Sequence, residues 1–478
     1  MTILKMIILG AIFGMLLSPS QSHAFLSNPS SQATENSVTP HLRVDSTGAI
    51  YLIWKKERDS QSGHMFFNRS IDRGESWPQD ARWLDREKPS GSRSSSPRLD
   101  SDAKGNIYVI WWTKHRDGKK DVLLSASRDF GVSFGPTLKL NQGHGAFPPE
   151  VSADAKGHVY VVWADERTEA GIGNSRGRSA GHRIYFNRSD DHGATWRAQD
   201  LKLSGEAAGG GRVMQAWPKV RSDDRGHVYV IWFDTRHDGS SVYFRASDDF
   251  GQTWREELRV KSEGGDVEGA MEMAADDRGH LYVAWADNRD GEYGIYLVAS
   301  ADHGRTWSKE VRLDVAKTKA SRASLPALAA HTSGHVYVAW QDARHGGWDI
   351  YLNMSSDFGK TWRTEGVRLN TGPPGEAEAQ LPQIAIGGKG TIAVAWQEDR
   401  GRDQQEGIYL TLSTDFGTTW LHRDIRADEQ QSGGAAVRPQ LAMLQDGVVV
   451  LAWEVTRQDR KDIVVKVVAP GVRQTSAR

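Results

Sequence analysis

Short apolar runs that close on a tryptophan recur along the chain. The clearest is Val159-Tyr-Val-Val-Trp163, which follows Gly157-His158 and leads into Ala164-Asp165-Glu166-Arg167. The run returns at Trp232, Trp285 and Trp340, each with Asp two residues on and Arg four on. Looser copies end at Trp54, Trp111, Trp396 and Trp453. Their apolar residues are continuous rather than alternating, which predicts strands buried on both faces. Three further segments accompany each run. One follows a proline (Pro326-Ala-Leu-Ala-Ala, Pro382-Gln-Ile-Ala-Ile), one is of the type Ile350-Tyr-Leu-Asn-Met354, and one is a short Val311-Arg-Leu or Val367-Arg-Leu segment. In chain order these are strands A, B (the tryptophan run), C and D of a four-stranded antiparallel unit.

Between strands C and D stands the octet S-x-D-x-G-x-[TS]-[WF]. Its acids are Asp72, Asp129, Asp191, Asp249, Asp302, Asp357 and Asp415, spaced 53 to 62 residues apart. Seven such octets in register cannot be accidental. A four-stranded unit repeated at this period predicts an all-β fold, a β-propeller. Eight tryptophan runs predict eight blades, or seven if the terminal unit is atypical. The units start near residues 40, 97, 149, 218, 271, 326, 382 and 439, and together form one domain over 25–478. The last unit has strands A to C but no octet and no strand D. Phe25 to Asn28 is expected to supply that strand, so that both ends of the chain lock one blade and no sheet edge stays open.

The N-terminus reads as an export signal. Lys5 is the positive charge, Met6 to Leu17 the apolar segment, and Ser22-His23-Ala24 a small-x-small site with cleavage expected after Ala24. At 12 residues the apolar segment is shorter than the roughly 20 needed to span a bilayer. A periplasmic or extracellular protein without a membrane anchor is therefore expected. The chain has no cysteine, so no disulfide can form and stability must come from packing and ring closure. Sixty Lys and Arg against 61 Asp and Glu give no electrostatic reason to expect nucleic acid. There is no phosphate loop, Cys/His zinc spacing or EF-hand series, and no cofactor is expected. A monomer is expected.

Most of the 18 tryptophans belong to strand B or the octet, which favours packing over ligand stacking. The octet acids sit on separate blades and cannot converge on one ion. Antiparallel geometry puts the B–C loops and D–A connections on one face and the octets and A–B turns on the other. The tryptophan-motif arginines, Arg58, Arg167, Arg236, Arg289, Arg344, Arg400 and the looser Arg457, fall on the B–C face. They could grip carboxylates or sulfates, or each could pair with the acid that repeats beside it. Trp217 and Trp348 lie off the template on that face and suit sugar or protein contact. So do the untemplated stretches 168–183 (Arg176, Arg178, His182), 204–217 and 262–272 (Asp266, Glu268, Glu272).

The octets with their preceding strand B resemble the bacterial neuraminidase repeat, the Asp-box, of the sialidase superfamily. Leu325-Pro326 through Trp340 and Asp342-Ala343-Arg344 to Ser355…Trp362 resembles the opening blade of a bacterial sialidase. The resemblance implies a sialidase-type propeller and raises the prospect of glycoside hydrolysis. That chemistry implies three arginines on the substrate carboxylate, a tyrosine nucleophile with a glutamate, and an aspartate acid/base. The Arg-Ile-Pro motif that supplies the first arginine is missing here. Val38, Ser95, Phe147, Ala216, Ser324, Gln380 and Val437 stand two residues before the strand-A prolines. Tyr293 is the only tyrosine off the repeat template, and with Glu292 or Glu272 it is the candidate catalytic group. Asp349 resembles the acid/base position, but Asp121 and Asp462 occupy similar places. Two readings therefore stand: a binding or scaffolding propeller for a glycan or protein ligand, and a sialidase-type hydrolase with a rearranged site.

Overall fold

The computed structural model describes residues 23–25, 36–57, 63–102, 104–143, 145–146, 148–168, 171–172, 181–206, 213–237, 239–262, 264–315, 322–400, 405–428, 434–457 and 460–469. Eight four-stranded antiparallel sheets are arranged as blades of a ring, with a single 3-10 turn at Gly388–Gly390 as the helical content of the described residues. In blade 6 the strands are Ala323–Ala330, Val336–Asp342, Asp349–Ser355 and Val367–Arg368. The other strands A are Asn36–Val44, Arg93–Ser101, Glu150–Ala153, Gln215–Ser222, Val267–Ala275, Gln380–Ile386 and Ala436–Met443.

The core is divided rather than central. Eight apolar clusters each join two neighbouring blades, from blades 1 and 2 (Phe67, Trp111) round to blades 8 and 1 (Trp54, Ile463). Each strand B contributes to the cluster on either side of it, so all seven residues of Val159–Asp165, Val228–Asp234, Leu281–Asp287 and Val336–Asp342 are buried. This is why those runs are continuously apolar. The eight strand-B tryptophans are at most 2% exposed.

The ring closes through blade 8. Strand C of that blade, Arg460–Val468, pairs with His23–Phe25 in the register Ala24↔Val465. Of the expected closing strand Phe25 to Asn28, Phe25 pairs with Val464 and residues 26–28 fall outside the described residues, while His23 and Ala24 join the pairing ahead of it. The pairing straddles the bond after Ala24.

The Asp-box turns are alike. In blade 6, Ser355 Oγ donates to Asp357 Oδ1 at 2.7 Å and accepts the Gly359 N–H at 2.9 Å. Asp357 accepts the Thr361 N–H and hydroxyl at 2.9 and 2.6 Å. Burial would raise the Asp357 pKa, but these hydrogen bonds outweigh it and hold the carboxyl down at about 2. The octet glycine takes positive φ, and so does the residue before it, Phe358 at 63°. That residue crosses to the A–B turn of the preceding blade: the Phe358 ring lies 4.3 Å from that of His280, and Phe250 lies 4.3 Å from His158.

Candidate functional site

The tryptophan motif is a clamp within each blade. In blade 6 the buried Asp342 accepts the Trp340 indole N–H at 3.1 Å, the Arg344 backbone N–H at 3.0 Å and the Arg344 guanidinium. That guanidinium lies 4.0 Å from the centre of the strand-C ring of Tyr351. Blades 4, 5 and 7 repeat the arrangement with Arg236 over Tyr243, Arg289 over Tyr296 and Arg400 over Tyr409. In these three blades a second acid beside strand D, Glu257, Glu310 or Asp424, completes the ion pair. Burial opposes the charged form of each arginine, but the adjacent carboxylates more than offset it and raise all four pKa values. The arginines are thereby tied to strands C and D, away from the innermost strand A, and do not converge at the axis. Arg58, Arg176 and Arg178 lie outside the described residues. Arg167 falls in a two-residue strand, Arg167–Thr168, paired with Gly171–Ile172.

Around the axis, strands A carry a feature that was not foreseen. In seven of the eight blades the A–B register slips by a β-bulge. At six of these bulges the residue before the proline takes left-handed φ between 49° and 56°: Thr39, Ser96, Trp217, Leu325, Leu381 and Arg438. Non-glycine residues resist that conformation, so the surroundings must hold it. In blades 7, 8 and 1 the holder is visible. The bulge N–H of Leu381, Arg438 and Thr39 donates to Gln341, Gln397 and Glu454 of the preceding blade at 3.1, 3.0 and 2.8 Å.

Blades 4 to 6 depart from this pattern. Trp217 is 43% exposed and packs against Phe233, and a Cβ on Gly269 of blade 5 would sit 2.6 Å from its ring. Beside Gly269 stands Glu268, whose Oε2 is buried without a hydrogen-bond partner and whose carboxyl is raised by burial. Arg322 and Ser324 of blade 6 partly offset that shift. Arg322 reaches over Trp348, 5.6 Å from its ring. Tyr293 hands its carbonyl to the Ala323 N–H at 2.8 Å, and its phenol is raised by burial and then by Glu268. Trp217, Glu268, Tyr293, Arg322 and Trp348 thus form one arc on the B–C face.

The three catalytic candidates do not assemble. Glu292 is exposed in the B–C loop, and Glu272 points into the axial channel, where it bonds Lys219 at 2.9 Å. The acid beside Tyr293 is Glu268, which lies in the untemplated stretch 262–272. Asp349 is 1% exposed and holds Arg368 at 3.0 Å, Asn370 at 2.8 Å and His345 at 3.0 Å. It acts as an anchor for its own blade. On the opposite face Asp223, His227 and His303 bring ligand-type atoms within 4.8 Å of one another. The two imidazoles are stacked at 3.9 Å, so their in-plane lone pairs run side by side rather than toward one point. Phenylalanine takes the His303 place in blades 4 and 6, which identifies the contact as inter-blade packing.

Comparison with known proteins agrees with this architecture. The model of the BNR repeat-like domain matches residues 226–474. No curated protein matches the chain in sequence. Among solved structures, an ulvan lyase of a polysaccharide lyase family superposes with a TM-score of 0.52 at 12% identity, over 83% of this chain and 96% of that one. A protein of unknown function from Dyadobacter fermentans gives 0.45 at 14% identity, over 93% and 97%. The Trypanosoma rangeli sialidase gives 0.38 at 14% identity, over 70% and 56%. At these identities the likeness is one of fold alone.

Proposed function

The chain belongs to the BNR repeat-like domain family, and on that premise we propose that it is an exported propeller that binds a glycan through the B–C face without cleaving it. The observation that carries this reading is the engagement of Arg236, Arg289, Arg344 and Arg400 by carboxylates of their own blades. An arginine so paired is not available to grip a substrate carboxylate, and none of the four lies near the axis. What the B–C face offers instead is a pair of off-template tryptophans and a tyrosine set among polar groups. Flat aromatic faces with neighbouring hydrogen-bonding groups suit the apolar faces and hydroxyls of a sugar. A glycan array probed with the purified chain and with Trp217→Ala tests this. Retention of a defined set of glycans, weakened at least tenfold by the substitution, supports it; equal retention by both proteins refutes it.

One observation favours the hydrolase reading. Glu268, held toward its neutral form, stands beside Tyr293, and a neutral carboxyl next to a phenol could serve acid–base chemistry. Turnover of a fluorogenic sialoside, lost in both Tyr293→Phe and Glu268→Gln, would establish that role.

A further inference from the structure

Strands A of blades 1 to 5, 7 and 8 line an axial cavity of about 600 Å³. In each blade one strand-A residue stands in register with the residue before the strand-B tryptophan, as His41↔Ile53, Glu150↔Val162, Lys219↔Ile231 and Glu272↔Ala284, and these residues form an inner ring. In blades 1 to 5 this inner ring reads His41, Arg98, Glu150, Lys219 and Glu272. In blades 6 to 8 it is neutral: Ala327, Gln383 and Gln440. One step nearer the A–B turns, blades 1 to 4 carry Arg43, Asp100, Ser152 and Arg221. Blades 5 to 8 carry Ala274, Ala329, Ala385 and Ala442 at that level. At these two levels the charged side chains therefore fall in blades 1 to 5, and blades 6 to 8 carry neutral ones.

The charges do not balance. Arg98 pairs with Glu150 at 3.0 Å, Lys219 with Glu272 at 2.9 Å and Arg43 with Asp100 at 3.0 Å. Arg221 has no carboxylate partner among the described residues. Its guanidinium donates to the Val220 carbonyl at 2.8 Å, which leaves most of its donors open. Beside it the hydroxyls of Ser152 and Ser222 meet at 2.8 Å. Arg438 also borders the cavity, but Glu454 neutralises it. Glu150 is lowered to about 2 by Arg98 and Lys219 against the effect of burial, and His41 is lowered to about 3 by burial and then by Arg98.

We propose that this cavity is a second binding site, for a polyhydroxylated monocarboxylate of sugar-acid size, with the carboxylate on Arg221 and its neighbouring serines. The single uncompensated guanidinium sets one negative charge, and the fork geometry of arginine matches a carboxylate. The volume lies within the range of small-ligand pockets. The polar lining, with Gln383, Gln440 and Thr39, asks for hydroxyls rather than an apolar body. The site goes beyond the glycan surface proposed above and stands on different residues.

Calorimetric titration of the whole purified protein with D-galacturonate and with D-galactose tests it. The expected result is binding of the acid at least tenfold tighter than the neutral sugar. Arg221→Gln should abolish that preference, Arg221→Lys should keep part of it, and Trp217→Ala should leave it unchanged. Equal binding of acid and neutral sugar by the wild-type protein, or no binding of the acid, would overturn the proposal without any variant. An undiminished preference in a folded Arg221→Gln protein would overturn it too. Loss of the preference in Trp217→Ala would move the site to the B–C face.

Discussion

Glu454 of the last blade accepts the backbone N–H of Thr39 in the first, at 2.8 Å. The same carboxylate receives Arg438 Nη1 at 3.0 Å on each oxygen, so one fully buried side chain ties two strained bulges and the ring seam together. Ring closure therefore rests on a polar latch as well as on the apolar contact of blades 8 and 1.

Removing that latch should loosen the seam. Glu454→Ala strands a backbone N–H and frees Arg438, whose own side chain is half exposed and can find water. A loss of about 1–3 kcal/mol in urea unfolding is expected. A midpoint indistinguishable from wild type would show that the latch is dispensable.

The tryptophan-motif clamp should act on stability and not on ligand. Asp342→Ala leaves the Trp340 indole and the Arg344 guanidinium without their acceptor in a buried setting. A destabilisation of about 3–5 kcal/mol is expected. The glycan-array profile of the folded fraction should be unchanged. A changed profile with wild-type stability would return these arginines to the binding surface.

Acid should weaken the fold through the channel. Burial first, then Arg98, Arg43 and Lys219, opposes protonation of His41, while Glu150 favours it, and its pKa is lowered to about 3. The unfolded chain takes up the proton near pH 6.5 while the folded chain does not, so stability falls as pH drops from 6.5 toward 3. Between pH 6.5 and 5 the loss from this group is at most about 2 kcal/mol. His41→Gln should flatten that limb. Glu150, lowered to about 2, adds a separate loss below about pH 4.5. An unchanged slope in His41→Gln would refute the assignment.

Much of the fold was legible in the sequence because each blade repeats the same local chemistry. Trp340, Asp342, Arg344 and Tyr351 recur together because they touch one another. Of the two readings open to the repeated arginines, pairing with the acids of their own blades is the one seen at Arg236, Arg289, Arg344 and Arg400. The bulges were hidden, since Thr39, Trp217, Leu325 and Arg438 share no residue type, and their left-handed backbone is imposed by packing rather than propensity. Tyr293 stood out by breaking the template, but its acid neighbour is Glu268, brought near by the strand A–B pairing of blade 5, and not the adjacent Glu292. The inner-ring charges lie more than 50 residues apart along the chain. Reading down the column of residues after each strand-A proline would have found most of them: His41, Arg98, Glu150 and Lys219 on one side, Ala327, Gln383 and Gln440 on the other, with Glu272 at the matching place in the blade that lacks the proline.

The central claim is that the B–C face binds without cutting. Its most direct test is to incubate the purified chain with a glycan it retains and with a fluorogenic sialoside, and to recover the sugars by mass spectrometry. The account expects both to be recovered intact. A cleaved product that disappears in Tyr293→Phe would contradict it and make the arc around Glu268 an active site.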